Sequence, residues 1–154
     1  MRIDLAAVGD LKAIQRLYRQ LYAFTAQLQP EFYQDAPQEE AFLKQVLADP
    51  NSAFLVARDG AQVVGFALVQ EQETLRYPCI VRRRMAHLMD LCVQEDRRGQ
   101  GVGKMLLQVA SGWASARGCD GIELAVLAEN QAARRLYQAH GYRERMLTLY
   151  QPLK

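Results

Sequence analysis

The stretch Val93-Gln94-Glu95-Asp96-Arg97-Arg98-Gly99-Gln100-Gly101-Val102-Gly103-Lys104 constrains the fold more than any other part of the chain. An apolar run ends in a charged, glycine-rich turn, which passes directly into the helical spacing Met105, Leu106, Val109, Ala110, Trp113. Strand, tight loop and helix in that order make an anion cradle. Glycines let successive N–H groups approach an anion, the helix start adds the positive end of its dipole, and Arg97, Arg98 and Lys104 supply formal charge. The expected ligand therefore carries a diphosphate. Spacing separates the known kinds of phosphate loop. A Walker A loop needs four residues between its first Gly and Gly-Lys-Ser/Thr, whereas Gly99 lies too close to Gly103-Lys104 and Met105 stands where the magnesium-binding hydroxyl belongs. A dinucleotide fingerprint needs G-x-G-x-x-G, but the loop reads Gly99-x-Gly101-x-Gly103.

A second pattern follows further along: Asn130-x-x-Ala133-x-x-x-Tyr137-x-x-x-Gly141-Tyr142. Asn130 is a good N-cap, the residues after it are good helix formers, and Gly141 suits a left-handed helix end. Alone, this is also how an ordinary capped helix with two core tyrosines reads. Beside the loop it says more. Arg98-x-x-Gly101-x-Gly103 after a strand, followed by the Asn-opened helix closing on Gly-Tyr, resembles in order and spacing the two signatures of the GNAT superfamily of acetyl-CoA-dependent N-acetyltransferases. The resemblance covers the whole chain in outline and Met85 to Tyr142 in motif detail.

Composition limits the alternatives. A chain of 154 residues, half of them hydrophobic, can build one domain with a real core, here 1–154. A formal charge of +2 is too small to argue for a nucleic-acid partner. Cys79, Cys92 and Cys119 lack CxxC spacing and the N-terminus has no apolar signal segment, so a cytoplasmic setting is expected. No apolar run approaches the ~20 residues of a membrane helix, and no metal is expected.

Periodicity places the elements. Met1 to Leu5 reads as an edge strand, and Asp10 opens a helix carrying Leu11, Ile14, Leu17, Leu21, Phe24 and Leu28 that ends before Pro30. Pro37 to Ala48 reads as a second helix, and Ala53 to Arg58 and Gln62 to Gln70 flank the hairpin signal Asp59-Gly60. A loop from Glu71 to Arg84 precedes a strand Met85 to Val93, a helix Gly101 to Arg117, a strand Ile122 to Leu127 and a helix Asn130 to His140. The tail Tyr142 to Leu153 is strand-like, as one bent strand or two, and could pair across a homodimer. The order β-α-α-β-β-β-α-β-α-β matches the α/β GNAT fold, a mixed sheet of about six to seven strands flanked by about four helices.

The resemblance implies direct acetyl transfer from acetyl-CoA to a primary amine, leaving CoA. It assigns the cofactor to the main chain of Leu91, Cys92 and Val93, to the loop Arg98, Gly99, Gln100, Gly101, Val102, Gly103 and Lys104, and to Asn130. It makes Tyr137 the general acid, near the cofactor. Many members carry a glutamate on the strand entering the loop, a position held here by Met89. The base is thus open between His87, alternating with Met89 onto one face, and Asp90, expected on the other and equally readable as structural or substrate-positioning. Tyr18, Tyr22, Glu31, Tyr33 and Asp35 offer aromatic and acidic contacts to a cationic acceptor, with a small-molecule amine favoured. Tyr18 and Tyr22 at i and i+4 are also ordinary helix-packing residues. Arg82-Arg83-Arg84 is either a solvated run or a contact for an acidic group. Met89 in place of an acid keeps a second function open, a module that binds acetyl-CoA without chemistry.

Overall fold

The computed structural model describes residues 1–154. The elements are β1 (Arg2–Leu5), α1 (Leu11–Leu28), α2 (Glu40–Ala48), β2 (Ser52–Asp59), β3 (Gln62–Glu73), β4 (Arg84–Val93), α3 (Val102–Ala116), β5 (Gly121–Glu123) and α4 (Gln131–Ala139), with short 3-10 turns at Val8–Asp10 and Glu95–Arg97. The strands form one sheet in the order β1-β2-β3-β4-β5, antiparallel except for the parallel pair β4–β5.

The sheet is covered on both faces, which explains why β2 and β3 read as near-continuous apolar runs. Successive side chains of β2 part company: Phe54 and Val56 pack with Leu11, Ile14, Leu17 and Tyr18 of α1 and Leu43 and Val46 of α2. Ala53, Leu55 and Ala57 pack on the other face with Val102, Leu106, Leu107, Ala110 and Ala114 of α3. Each large side chain buried completely in these layers, such as Phe66 or Leu106, contributes roughly 1.5–3 kcal/mol. α1 stops at Gln29 because Pro30 disfavours a helical residue before it. The hairpin forms as the Asp59-Gly60 signal requires, with Asp59 paired to Gln62 and Gly60 at φ +62°.

Three sequence-based expectations change. The sheet has five strands, not six or seven. β5 ends at Glu123 instead of reaching Leu127, because only Met85, Ala86 and His87 of β4 pair with it. The tail Tyr142 to Leu153 forms no strand: its alternation suits an extended chain, but a strand also needs a ladder, and no neighbour supplies one. Smaller shifts have local causes. α2 begins at Glu40, not Pro37, after an extended Glu39. β3 runs on to Glu73 because Gln70 to Glu73 keep pairing with β4.

Candidate active site

A β-bulge creates the site. On β3 and β4, Leu68 faces Asp90 and Val69 faces Leu88, so Met89 is the extra residue, half exposed and without a partner. The bulge reverses the alternation of β4. Before it, Ala86 and Leu88 point into the α3 layer; after it, Leu91 and Val93 do so, and Cys92 joins the α1 layer. His87 and Asp90 therefore share the α1 face, correcting the expectation that Asp90 lies opposite His87. Strict alternation assumes an unbroken ladder, and a bulge is the feature that breaks it.

Beyond His87 no ladder joins β4 to β5, and the unpaired gap between them is the cleft. The Gln94 N–H donates to the Val64 carbonyl at 2.8 Å. Since main-chain groups alternate along an antiparallel strand, Cys92 and Asp90 bond toward β3 while Leu91 and Val93 direct theirs at the cleft. The Val93 carbonyl already accepts from Gln20 Nε2 at 3.0 Å and Arg98 Nε at 3.3 Å. The Cys92 side chain is core: its Sγ–H donates to the Leu17 carbonyl at 3.4 Å and burial pushes the thiol up to about 12.

The loop between β4 and α3 keeps the cleft mouth lined with backbone. Gly99 and Gly101 sit at φ +75° and +83°, where other residues are strained, and no heavy atom lies within 4 Å of a β-carbon at either. Gly101 caps α3 with no side-chain bond to the helix amides, leaving the first turn open to an anion. Gly103 has a different reason to be small. A β-carbon there would lie 3.1 Å from Leu136 Cδ2, so it lets α3 pack against α4. Val102 is buried, so only its main chain can serve a ligand. Gln100 donates to the Asp96 carbonyl at 3.3 Å. Arg98 stacks over Phe24 at 5.7 Å, and Arg97 is tied to Asp59 across the hairpin. Lys104 is exposed beside the loop. Asn130 accepts from Ala133 N–H at 3.2 Å as the N-cap of α4. The helix closes with Gly141 N–H on Gln138 O and Tyr142 N–H on Tyr137 O, a Schellman end with Gly141 at φ +86°.

At the cleft, aromatic groups enclose one carboxylate. Tyr18 Oη donates to Asp90 Oδ2 at 2.7 Å, and the fully buried Tyr18 ring packs on Phe66 and Tyr22 at centroid distances of 4.6 and 5.3 Å. Burial raises the Asp90 carboxyl to about 6, only partly opposed by the Tyr18 hydrogen bond. Burial and then the Asp90 charge push Tyr18 and Tyr22 upward, while Gln38 donates to Tyr22 Oη at 2.7 Å. Tyr137 is raised to about 12, first by burial, then by neighbouring Tyr142 and by Asp90, and stays protonated at neutral pH. His87 Nε2 lies 3.3 Å from Glu123 Oε1, and Arg145 holds the other Glu123 oxygen at 3.0 Å.

The structure thus brings together Asp90, Tyr22 and Tyr137, with Leu91 and Val93 beside them. Glu31 and Tyr33 lie on the exposed segment after α1 and make no bond to the Asp90 group. Sequence reasoning missed Tyr18 as the carboxylate partner, Gln38, Gln20 and Glu123. Only Tyr18 left a signal, its helical spacing to Tyr22. Of the arginine run, Arg84 is structural, gripping Glu71 at 2.6 Å while Arg117 grips it at 2.5 Å. No helix is long and apolar enough to cross a membrane.

This loop, cleft and capped helix define an acyl-transfer fold, and comparison gives it a family. Residues 12–142 match the Acetyltransferase (GNAT) family. The chain is 32% identical over 147 residues to the uncharacterized N-acetyltransferase YhfO of Bacillus subtilis, covering 94% of this chain and 91% of that one. A crystal structure of a mutant of the BH1408 protein from Bacillus halodurans superposes with a TM-score of 0.96 at 25% identity, covering both chains completely. The aminoglycoside N-acetyltransferase AAC(6')-Iy, solved in complex with CoA, shares the fold with a TM-score of 0.76 at 19% identity over 99% of each chain. The chain belongs to the GNAT acetyltransferase family and is an N-acetyltransferase.

Proposed function

We propose that this chain moves an acetyl group directly from acetyl-CoA to a primary amine of a small molecule, with Asp90 as the base. The observation that carries this reading is a carboxylate held at about 6 by burial at the mouth of the cleft. A base with that value is ionised at neutral pH yet still holds a proton when one is delivered. When bound, acetyl-CoA supplies the activated acetyl thioester. The residues present fit it: the amides after Gly101, with Arg98 and Lys104 as charges, suit a diphosphate. Leu91 and Val93 present main chain to an extended amide-bearing arm. Cys92 contributes to that strand by packing, and Gly99, Gln100 and Gly103 shape the loop.

Asp90 uses Oδ2 to accept from Tyr18, which leaves Oδ1 to take the proton from an incoming ammonium. The Leu91 and Val93 N–H groups, free of β3, would be the donors to a thioester carbonyl as it develops charge. Tyr137 holds its proton at neutral pH and would be the residue to protonate the departing sulfur. His87, oriented by Glu123 on the same face, is a further proton carrier, and Asn130 both caps α4 and borders the cofactor path. Tyr22 walls the acceptor side, with Glu31 and Tyr33 at its outer margin. The fold neighbour AAC(6')-Iy is itself named for a small-molecule class of acceptor, which is compatible with this substrate class. One catalytic unit, residues 1–154, working in the cytoplasm without a metal completes the reading. Calorimetric titration with acetyl-CoA, followed by thiol release over a panel of small amines, tests it. Micromolar binding with transfer is expected; binding with no transfer to any amine would overturn the catalytic assignment.

A further inference from the structure

Past Gln94 the sheet no longer holds the chain that follows β4. The Gln94 N–H on the Val64 carbonyl at 2.8 Å closes the pairing with β3, and the backbone then turns through Glu95–Arg97 into the glycine loop. Two main-chain groups at this joint lack a main-chain partner. One is the Val93 carbonyl, which faces the cleft; the other is the Glu95 N–H, which opens the turn and has no acceptor within it. A single side chain of α1 takes up both. Gln20 Nε2 donates to the Val93 carbonyl at 3.0 Å, and Gln20 Oε1 accepts from the Glu95 N–H at 3.2 Å. The same Nε2 lies 3.7 Å from Cys92 Sγ. Only one orientation of an amide satisfies a carbonyl and an N–H together, so Gln20 fixes the two groups as a pair.

Packing does not explain an amide at this place. Gln20 is partly buried, one turn after the core residue Leu17 and one turn before Phe24, where leucine or methionine would fill the same space without desolvating two polar ends. The support continues along that side of the helix. Phe24 stacks on Arg98 at 5.7 Å, and Arg98 Nε reaches the Val93 carbonyl at 3.3 Å. Two successive turns of α1 therefore hold two successive pieces of the connection between β4 and α3. With its carbonyl filled by Gln20 and Arg98, Val93 keeps only its N–H for a ligand.

We infer that Gln20 is a positioning residue for the cofactor, fixing the joint at which the strand Leu91 to Val93 passes into the diphosphate loop. It touches no reacting atom and acts through Val93 and Glu95. This role rests on the acetyl-CoA reading above, in which one ligand lies along Leu91 and Val93 and also reaches the amides after Gly101. A ligand that spans two sites binds well only when their separation is already set. A loop ordered on arrival of the ligand would draw on binding free energy, whereas the Gln20 bonds move that ordering into folding.

Gln20→Met keeps the length and apolar stem of the side chain and removes both bonds. Calorimetry with acetyl-CoA and steady-state rates with an amine from the thiol-release panel test the role, with circular dichroism to establish that the variant is folded. Acetyl-CoA affinity should fall about 5- to 10-fold, the size expected of one net hydrogen bond. kcat at saturating acetyl-CoA and KM for the amine should stay within about twofold of the natural chain. Unchanged affinity in the folded variant overturns the inference, as does a kcat that falls in step with affinity, which marks a general loosening of the site. A natural chain that does not bind acetyl-CoA sinks the cofactor reading and the role of Gln20 together; equal binding by natural chain and variant removes the role of Gln20 only. If the variant does not fold, hydrogen exchange on the natural chain without ligand decides. The Glu95 amide should exchange more slowly than that of Asp96, which has no such bond. Equally fast exchange at both would show that the joint is not set in advance.

Discussion

Asp10 and Asp90 are both withdrawn from water, and they are treated in opposite ways. Asp10, at the start of α1, is held by both terminal nitrogens of Arg58 at 2.8 and 2.7 Å and by the Ala7 N–H at 2.8 Å. The Arg58 hydrogen bonds hold its carboxyl below the usual range despite the cost of burial. Asp90 receives one phenol and no cation, and burial carries it to about 6. Asp10 ties β2 to the entry of α1 and has no proton to exchange near neutral pH. A carboxylate left without a countercharge beside a cleft is a cost to folding that chemistry can use.

The sharpest way to break that contrast is Asp90→Asn. The rate of acetyl transfer should fall by about 10²- to 10⁴-fold, the usual contribution of a positioned base, with acetyl-CoA affinity unchanged. Stability should move the other way. The folded carboxyl titrates higher than its unfolded value near 3.8, so the folded state binds the proton more tightly and loses stability as pH rises from about 4 to about 6. Above 6 the loss is complete, at most about 3 kcal/mol from roughly two pKa units. Urea melts at pH 8 should show Asp90→Asn more stable than the natural chain, with the gain vanishing near pH 4. Equal stability at both pH values would mean that a cation offsets the burial of the Asp90 charge.

Arg58→Ala sharpens the comparison from the other side. It strands Asp10 without its cation and should cost about 2–3 kcal/mol, below the upper range for fully buried pairs because some water reaches both side chains. The sign of its pH dependence is opposite. The Asp10 contribution is present above the ordinary carboxyl range and is lost as pH falls through its lowered value, so acid should narrow the difference between variant and natural chain. Turnover per folded molecule should not change. Tyr137→Phe comes next, with the rate down about 10- to 100-fold and acetyl-CoA affinity retained, because its proton is needed only as the thiol departs. Parallel loss of affinity and rate would make Tyr137 a packing residue.

The sequence carried the loop, the capped helix and the order of every helix and of the first five strands, because each of these is written in local spacing. The features it hid are non-local. Nothing near Met89 says that Leu68 pairs with Asp90 and Val69 with Leu88, and that slip alone decides that Asp90 shares a face with His87. The Tyr18–Asp90 bond joins residues 72 positions apart. The missing glutamate at Met89 raised the idea of an inactive module; once the bulge turns Met89 outward and Asp90 inward, that motive disappears. The tail misled in the opposite direction, since its pattern describes a strand for which no neighbouring strand supplies a ladder.

Tyr18→Phe gives the smallest and most specific test of the contrast. The phenol is the one group that bonds the Asp90 carboxylate, and its hydrogen bond favours the ionised form. Without it, burial acts unopposed and the carboxyl should titrate higher by about one unit, equivalent to about 1.4 kcal/mol. The acid limb of the pH–rate profile for kcat/KM should then shift from about 6 toward 7, while the plateau at high pH stays near that of the natural chain. A variant that only disturbed packing would lower the plateau and leave the midpoint in place. A midpoint that stays fixed would separate Asp90 from the rate-controlling proton transfer and return that role to His87, whose ring faces Glu123 on the same side of the bulge.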